Sequence, residues 1–198
     1  MTHIADSITD TELVSLLKGG GVGVIPTDTV YGLVCSAADP VAVKRLYALK
    51  HREHKPGTVI AAKVQQFIDL GIRPRYVKAV EDFWPNPLSV VIPCDETHAY
   101  LHLGKHSLAV RVPSDKMLRS LLLQTGPLVT TSANLPGEPV ATNIDEAQKY
   151  FGNQIDFYVN GGDIAKPVPS TIIRIVDDAI EIIRPGAVKI DENGRLSQ

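Results

Sequence analysis

Val22-Gly23-Val24-Ile25-Pro26-Thr27-Asp28-Thr29-Val30-Tyr31-Gly32, residues 22–32, is the stretch from which the fold can be read. Residues 22–25 are a short apolar run suited to a buried strand, and Pro26 stops it because proline brings no N–H to a sheet ladder. The polar run 27–32 is thereby delivered to a strand's end, where open α/β sheets place their ligands. On the N-terminal side, Thr9-Asp10-Thr11-Glu12 has capping-box spacing, with Leu13, Leu16 and Leu17 following at helical spacing. Gly19-Gly20-Gly21 closes that helix. On the C-terminal side, Asp39 as N-cap and Pro40 as first helical residue open a second helix with Val43, Leu46 and Tyr47 as its apolar stripe. It runs directly into Lys50-His51-Arg52.

Farther out, residues 58–62, 88–92, 108–112, 128–130, 157–159, 171–176 and 180–183 read as strands. Helical segments at 64–70, 75–83, 115–124 and 144–150 lie between several of them. The alternation predicts an α/β fold, and the late run of strands makes the sheet mixed. No internal repeat, low-complexity tract or long linker divides the chain. We expect one domain over 1–198, a twisted mixed sheet with flanking helices, its core at about 10–188 and a frayed polar tail after 190.

The chain has 198 residues, 44% hydrophobic and 21% charged, with a formal charge of −2, a soluble globular composition. Cys35 and Cys94 lie far apart and outside any CxxC pair, which argues against a disulfide framework or a cysteine-rich zinc site and for a reducing, cytoplasmic setting. No apolar stretch approaches the ~20 residues of a membrane helix. Asp6, Asp10 and Glu12 do not fit the basic-then-apolar order of a signal peptide, so neither secretion nor membrane embedding is expected. The net charge conceals an asymmetry: residues 44–78 carry nine Lys or Arg against Glu53 and Asp69, making that segment +7 and the remainder −9. Such a zone either attracts a phosphate or polyphosphate or is a solvated helix face.

Several constellations carry chemistry. Neither GxxxxGK[ST] nor GxGxxG fits residues 19–23, so any nucleotide phosphates would be held chiefly by side chains. Lys50 and Arg52, with Lys55, supply such side chains if the stretch is extended, since positions two apart then share a face. The alternative is that these cations complement the preceding helix dipole. Thr130-Thr131-Ser132-Ala133-Asn134 gathers hydroxyls and an amide where a strand ends, suited to an anion or to the turn's own backbone. Ser107 and Arg111 share one strand face. Arg111, between Val110 and Val112, needs an anionic partner, either a protein or a substrate carboxylate. Ser170 marks a strand start and Arg184 a strand end, the latter a possible phosphate ligand. His98, His102 and His106 are four apart, but Gly104 weakens a helix through them and no HExxH occurs. They read as surface histidines of a polar loop, and no metal site is expected.

Taken together, PTDTVYGL (26–33), KHREHKP (50–56), FWPNPLSVVI (83–92), SLAVRVPS (107–114), TTSANLPGEP (130–139), PSTII (169–173) and IIRPGAV (182–188) resemble the YrdC-like threonylcarbamoyl-AMP synthases. The pieces occur in the family's order. The resemblance implies a YrdC-like fold with a basic concave cleft, and a reaction joining L-threonine, bicarbonate and ATP into threonylcarbamoyl-AMP and pyrophosphate. Mg²⁺ would accompany the nucleotide, with no tightly bound organic cofactor. The product would serve threonylcarbamoyladenosine formation in tRNA, with tRNA or a tRNA-threonylcarbamoyl transferase complex as partner.

Residue by residue, the resemblance places Lys50, Arg52, Ser132 and Asn134 on the family's KxR and SxN signature at the reaction centre. Arg52, Lys55, Ser107, Ser132, Val140 (through its backbone) and Arg184 would contact ATP. Thr29, Arg111, Thr130 and Ser170 would hold threonine, with Arg111 on its carboxylate, and Thr27 and Tyr31 would line the site. The chain departs from the usual pattern at Asn86 and at Pro136 before Gly137, both in turns. It resembles the short members without an additional C-terminal domain. A nucleic-acid-binding module on the same fold is the competing reading, disfavoured as sole role by the charge of −2 and the lack of an RNP-like aromatic motif. A paralogue with another acyl acceptor would be marked by loss of SxN or Arg111, and both are retained.

Overall fold

A computed structural model describes residues 2–51, 55–177, 179–191 and 195–197. In chain order the elements are β1 (His3–Ala5), α1 (Thr11–Lys18), β2 (Gly23–Ile25), β3 (Gly32–Ser36), α2 (Pro40–Leu49), β4 (Thr58–Ile60), α3 (Val64–Asp69) and α4 (Pro74–Lys78). There follow β5 (Leu88–Pro93), α5 (Ala99–His102), β6 (Ser107–Arg111), α6 (Lys116–Thr125), β7 (Leu128–Ser132) and α7 (Ile144–Phe151). The chain ends with β8 (Phe157–Val159), β9 (Thr171–Val176), β10 (Ala179–Arg184), β11 (Lys189–Ile190) and β12 (Leu196–Ser197). The helix starts follow local chemistry: Asp39 Oδ1 accepts the amides of Val41 and Ala42 at 2.9 and 3.1 Å, and Asp115 Oδ1 that of Leu118 at 2.7 Å.

Ten strands form one sheet in the order β1-β8-β2-β3-β7-β4-β6-β5-β9-β10. It is mixed, as expected: β4 and β6 run parallel, as do β5 and β9, whereas β3–β7, β4–β7, β5–β6 and β9–β10 are antiparallel. Side chains alternate between its faces. Leu33, Cys35, Val59 and Val129 join the core beneath α2, while Val34, Ile60 and Leu128 join Leu13 and Leu17 of α1 and Leu118, Leu121 and Leu122 of α6. Each fully buried aliphatic side chain is worth ~1.5–3 kcal/mol over exposure, so this alternation fixes the register.

On the α1/α6 face the apolar packing covers only part of the sheet. Ile60, Leu128 and Arg111 are cross-strand neighbours, and in the next row so are Thr58, Thr130 and Ala109. On β4 and β7 the side chains thus turn from aliphatic to hydroxyl within two residues. This polar portion of the face carries the candidate site.

The structure corrects several local readings. Asp10 rather than Thr9 caps α1, accepting the Glu12 amide at 2.8 Å. The polar run is a hairpin connection, because Gly32 opens β3 and pairs with Ile25 of β2. The helix expected at 75–83 splits into α4 and a 3₁₀ turn, Glu81–Phe83. The polar tail is not wholly frayed, since Leu196 pairs with Ile190. Among the described residues, no helix is long and apolar enough to cross a membrane.

Candidate active site

The polar portion of the sheet encloses a hollow of about 110 Å³. Thr27 and Thr29 reach it from the β2–β3 connection, Arg111 from the end of β6, and Thr130 and Ser132 from β7. Ser170 and Arg184 close the far side from the start of β9 and the end of β10. Seven sequence-predicted residues are therefore brought together. Gly32 makes room for them: a Cβ there would stand 2.5 Å from Thr130 Oγ1, so any side chain would displace that hydroxyl.

The connection 26–31 folds back across this face and is held there by Asp28. Its Oδ2 accepts the Ser114 amide at 2.9 Å, and its Oδ1 lies 3.2 Å from Arg111 Nη2. Thr27 pins the turn locally, donating to the Val30 carbonyl at 2.6 Å and accepting the Val30 amide at 3.2 Å. The question of Arg111's partner thus has a protein carboxylate as one answer. Burial pushes the Arg111 guanidinium below its ordinary pKa while the Asp28 charge opposes the shift. It stays charged, as arginine side chains in proteins do. Among the described residues, Arg111 Nε has no hydrogen-bond partner although it is buried. A buried donor of this kind is costly unless something binds it, and it belongs to a side chain lining the hollow.

Lys50 behaves differently from expectation. It is the C-cap of α2 in helical conformation, followed by His51 with φ 47°, so the stretch is not extended at this point. Its side chain is 2% exposed, and Nζ donates to the Ser132 carbonyl at 2.8 Å, to Asn134 Oδ1 at 2.8 Å and to the Asn134 carbonyl. Ser132 Oγ donates to Asn134 Oδ1 at 2.7 Å, and Asn134 Nδ2 donates to the Glu138 carbonyl at 2.6 Å. The lysine therefore assembles the turn after β7. Arg52 lies outside the described residues. Lys55 is exposed just before Pro56 and Gly57, which line the hollow.

Both departures from the family pattern preserve their turns. Leu135-Pro136-Gly137-Glu138 closes with the Glu138 amide on the Leu135 carbonyl at 3.1 Å, and Gly137 has φ 85°, the arrangement that favours Pro then Gly at the two central positions. Asn86 donates its amide to the Val112 carbonyl at 3.1 Å and Nδ2 to the Phe83 carbonyl at 2.9 Å.

At the far side, Arg184 Nη2 donates to the Ser170 carbonyl at 2.6 Å and to Ser170 Oγ at 3.1 Å, and Ser170 Oγ lies 3.1 Å from Ser89 Oγ. Gly186 permits this, because a Cβ there would run into the backbone of Pro169, Ser170 and Thr171.

Besides Lys50, Lys55 and Asn134, three more predicted residues lie outside the hollow. Ser107 stands on the same face, two residues past Ala109 as Ser132 is two past Thr130, and two strands away, ~10 Å. Its hydroxyl donates to the Lys105 carbonyl at 3.3 Å. Val140 is half-buried where the turn after β7 closes. Tyr31 does not line the site: it is fully buried, donating to the Gly162 carbonyl and accepting the Gly161 amide, both at 2.8 Å, and burial pushes its hydroxyl pKa up.

Three arginines of the basic segment are engaged locally. Arg45 pairs with Asp156 at 2.6 Å, Arg73 pairs with Asp95 at 2.7 Å, and Arg75 lies 4.6 Å over the Tyr76 ring. Arg111 and Arg184 are the cations lining the hollow among the described residues. Sequence reasoning missed Asp28, whose signal was present as the one acid in the polar run 27–32.

Comparisons with known proteins agree with this arrangement. A sequence model of the Sua5/YciO/YrdC family, described as telomere recombination, matches residues 15–186. A threonylcarbamoyl-AMP synthase of Stutzerimonas stutzeri is 35% identical over 178 residues, covering 88% of this chain and 95% of that protein. One of Bacillus subtilis is 33% identical over 180 residues, and there the match spans 88% of this chain but only 52% of the longer relative. The crystal structure of Pyrococcus abyssi Sua5 complexed with L-threonine superimposes with a TM-score of 0.83 at 27% identity, covering 97% of this chain and 60% of that one. With the family model covering most of its length and the site residues gathered on one sheet face, this chain belongs to the Sua5/YciO/YrdC family.

Proposed function

We propose that this chain is an L-threonylcarbamoyladenylate synthase, converting L-threonine, bicarbonate and ATP into threonylcarbamoyl-AMP and pyrophosphate for threonylcarbamoyladenosine formation in tRNA. The observation that carries the reading is the buried, partly unsatisfied Arg111 guanidinium in a small hydroxyl-lined hollow. A buried guanidinium that can take one carboxylate, beside several hydroxyl groups, suits a small hydroxylated amino acid. Arg111 takes the threonine carboxylate, with Thr29, Thr130 and Ser170 around the amine and side chain. A relative bearing this fold is known complexed with L-threonine.

The amine of bound threonine and bicarbonate give a carbamate with loss of water. A carbamate oxygen then attacks the α-phosphorus of ATP and pyrophosphate departs, so no protein nucleophile is required. The protein's work is alignment and charge neutralisation. Ser132 and Asn134, held by Lys50, shape the junction between the two substrates. Arg184 faces the nucleotide phosphates, and Arg52, Lys55, Ser107 and the Val140 backbone take the family's ATP contacts. No carboxylate lines the hollow among the described residues, so Mg²⁺ enters as part of the MgATP substrate, in keeping with its preference for phosphate oxygens and water.

The test is pyrophosphate release from MgATP with bicarbonate, with and without L-threonine, and the mass of any adenylated product. Threonine- and bicarbonate-dependent release with the threonylcarbamoyl-AMP mass is expected. A folded protein that gives no such product would reduce the likeness to one of fold.

A further inference from the structure

On the side of the sheet beneath α2, the histidines read from sequence as a polar-loop group are rearranged into something else. His98 is withdrawn, with Nε2 2.8 Å from the Leu70 carbonyl and Nδ1 3.0 Å from Thr97 Oγ1. In its place Glu96 joins His102 and His106, and one donor atom from each lies within 4.8 Å of the other two. Glu96 Oε1 and His106 Nδ1 are 2.8 Å apart. Leu103, Gly104 and His106 adopt φ of 49°, 77° and 52°, and this left-handed turn swings His106 back over the single turn of α5. Such a conformation is uncommon for leucine and histidine, and its clustering at a set of ligand-type side chains points to a use.

His102 supplies a second, independent observation. It is fully buried, with Nε2 3.3 Å from the Asp95 carbonyl and Nδ1 3.3 Å from the His106 amide. A carbonyl beside Nε2 requires the proton there, so the lone pair is on Nδ1, where it accepts the His106 amide in a long bond that a metal ion would have to replace. A metal-binding imidazole is commonly oriented by a backbone carbonyl on its other nitrogen in this way. The competing charges are engaged elsewhere or point away: the Asp95 carboxylate pairs with Arg73, and Lys105 is exposed.

We propose that Glu96, His102 and His106 form a site for a divalent first-row transition metal, with zinc as the natural probe, that pins the connection between β5 and β6. Two imidazoles and a carboxylate are a donor set for zinc-like ions rather than magnesium, and three protein ligands leave a fourth position for water. Bonds of ~2.0–2.2 Å put neighbouring donors ~3.3 Å apart around a tetrahedral ion, within the 2.8–4.8 Å spread seen here. Glu96 and His106 are exposed and can rotate to close that spread, whereas His102 is already fixed.

The experiment is calorimetric titration of the full chain with zinc sulfate, without nucleotide, alongside thermal melts with and without zinc. One zinc per chain and a rise in Tm are expected. Glu96→Gln and His106→Ala, both at exposed positions, should each weaken binding by at least ~100-fold and abolish the zinc-dependent rise. His3→Ala is the control, because His3 lies 3.2 Å from Asp10 and 3.5 Å from Glu12, and it should change nothing. The proposal is overturned if no zinc binds, if binding ignores Glu96→Gln and His106→Ala, if it follows His3 instead, or if magnesium produces the same rise.

Discussion

Lys50 and Arg111 are both almost completely withdrawn from solvent, at 2% and 3% exposure, yet their polar atoms are served in opposite ways. The Lys50 ammonium is surrounded by three acceptors from Ser132 and Asn134, which occupy the three protons an ammonium can donate. Arg111 has one carboxylate at 3.2 Å and a buried Nε that meets nothing among the described residues. The first cation is consumed in building the site; the second retains unused capacity in it. Of two basic residues singled out from the sequence for one kind of task, the structure supports ligand binding for one and assembly for the other.

The largest effect expected from this contrast is on substrate use. Arg111→Ala should lower kcat/KM for threonine by ~100–1000-fold, the scale for losing a preorganised charged donor, while ATP binding stays measurable. The substitution also orphans Asp28, whose side chain is 2% exposed, so a stability loss accompanies it. Pairing Arg111→Met with Asp28→Asn removes both charges together and should recover much of that stability without recovering activity. Recovery of turnover in the double variant, or equal loss of affinity for both substrates in Arg111→Ala, would reduce Arg111 to a structural residue.

Lys50→Met sharpens the other side of the comparison. Methionine keeps much of the buried stem but removes the donor to the Asn134 carbonyl, whereas the Ser132 carbonyl keeps the Asn134 amide at 3.0 Å and Asn134 Oδ1 keeps the Ser132 hydroxyl, so one acceptor is left dry at ~1–3 kcal/mol. We expect a net loss of about 2 kcal/mol in urea unfolding, with loss of activity through disorder of the turn after β7. A variant of unchanged stability that fails only in nucleotide binding would show Lys50 to be a phosphate ligand after all.

How much of this was legible in the sequence depended on the range of the interaction involved. The strands at 157–159 and 171–176 and the Asp39-Pro40 helix start were readable because their signals, apolar runs and a capping carboxylate, are local. Gly32–Ser36 was not: beside its local hairpin pairing with Gly23–Ile25 it is held on the other side by Leu128–Ser132, far along the chain. Within the site, residue types and motif order were legible, but partners were not. Asp28 reaches Arg111 only because the hairpin folds back over the sheet, and Tyr31 leaves the site only because Gly161 and Gly162 receive its hydroxyl. In the +7 segment, too, partners were not legible: the arginines at 45 and 73 are engaged by Asp156 and Asp95.

Arg184 lies between the two extremes and is expected to show the smallest effect. Its guanidinium leans on the carbonyl and hydroxyl of Ser170, both neutral acceptors, and the residue is exposed, so solvent replaces much of what losing these two bonds removes. Arg184→Ala should leave stability within ~0.5 kcal/mol, as for most surface substitutions. If its guanidinium meets the nucleotide phosphates, removing one charge-assisted hydrogen bond costs about 1.5–3 kcal/mol before screening, and exposure reduces this to a roughly 10-fold rise in KM for ATP. Raising ionic strength should weaken ATP binding to the unmodified chain more steeply than to the variant, because the screened interaction is the one removed. Identical salt dependence with an unchanged KM would assign Arg184 to fastening β10 against the start of β9, and would leave Arg111 as the described cation of the hollow with a direct claim on substrate.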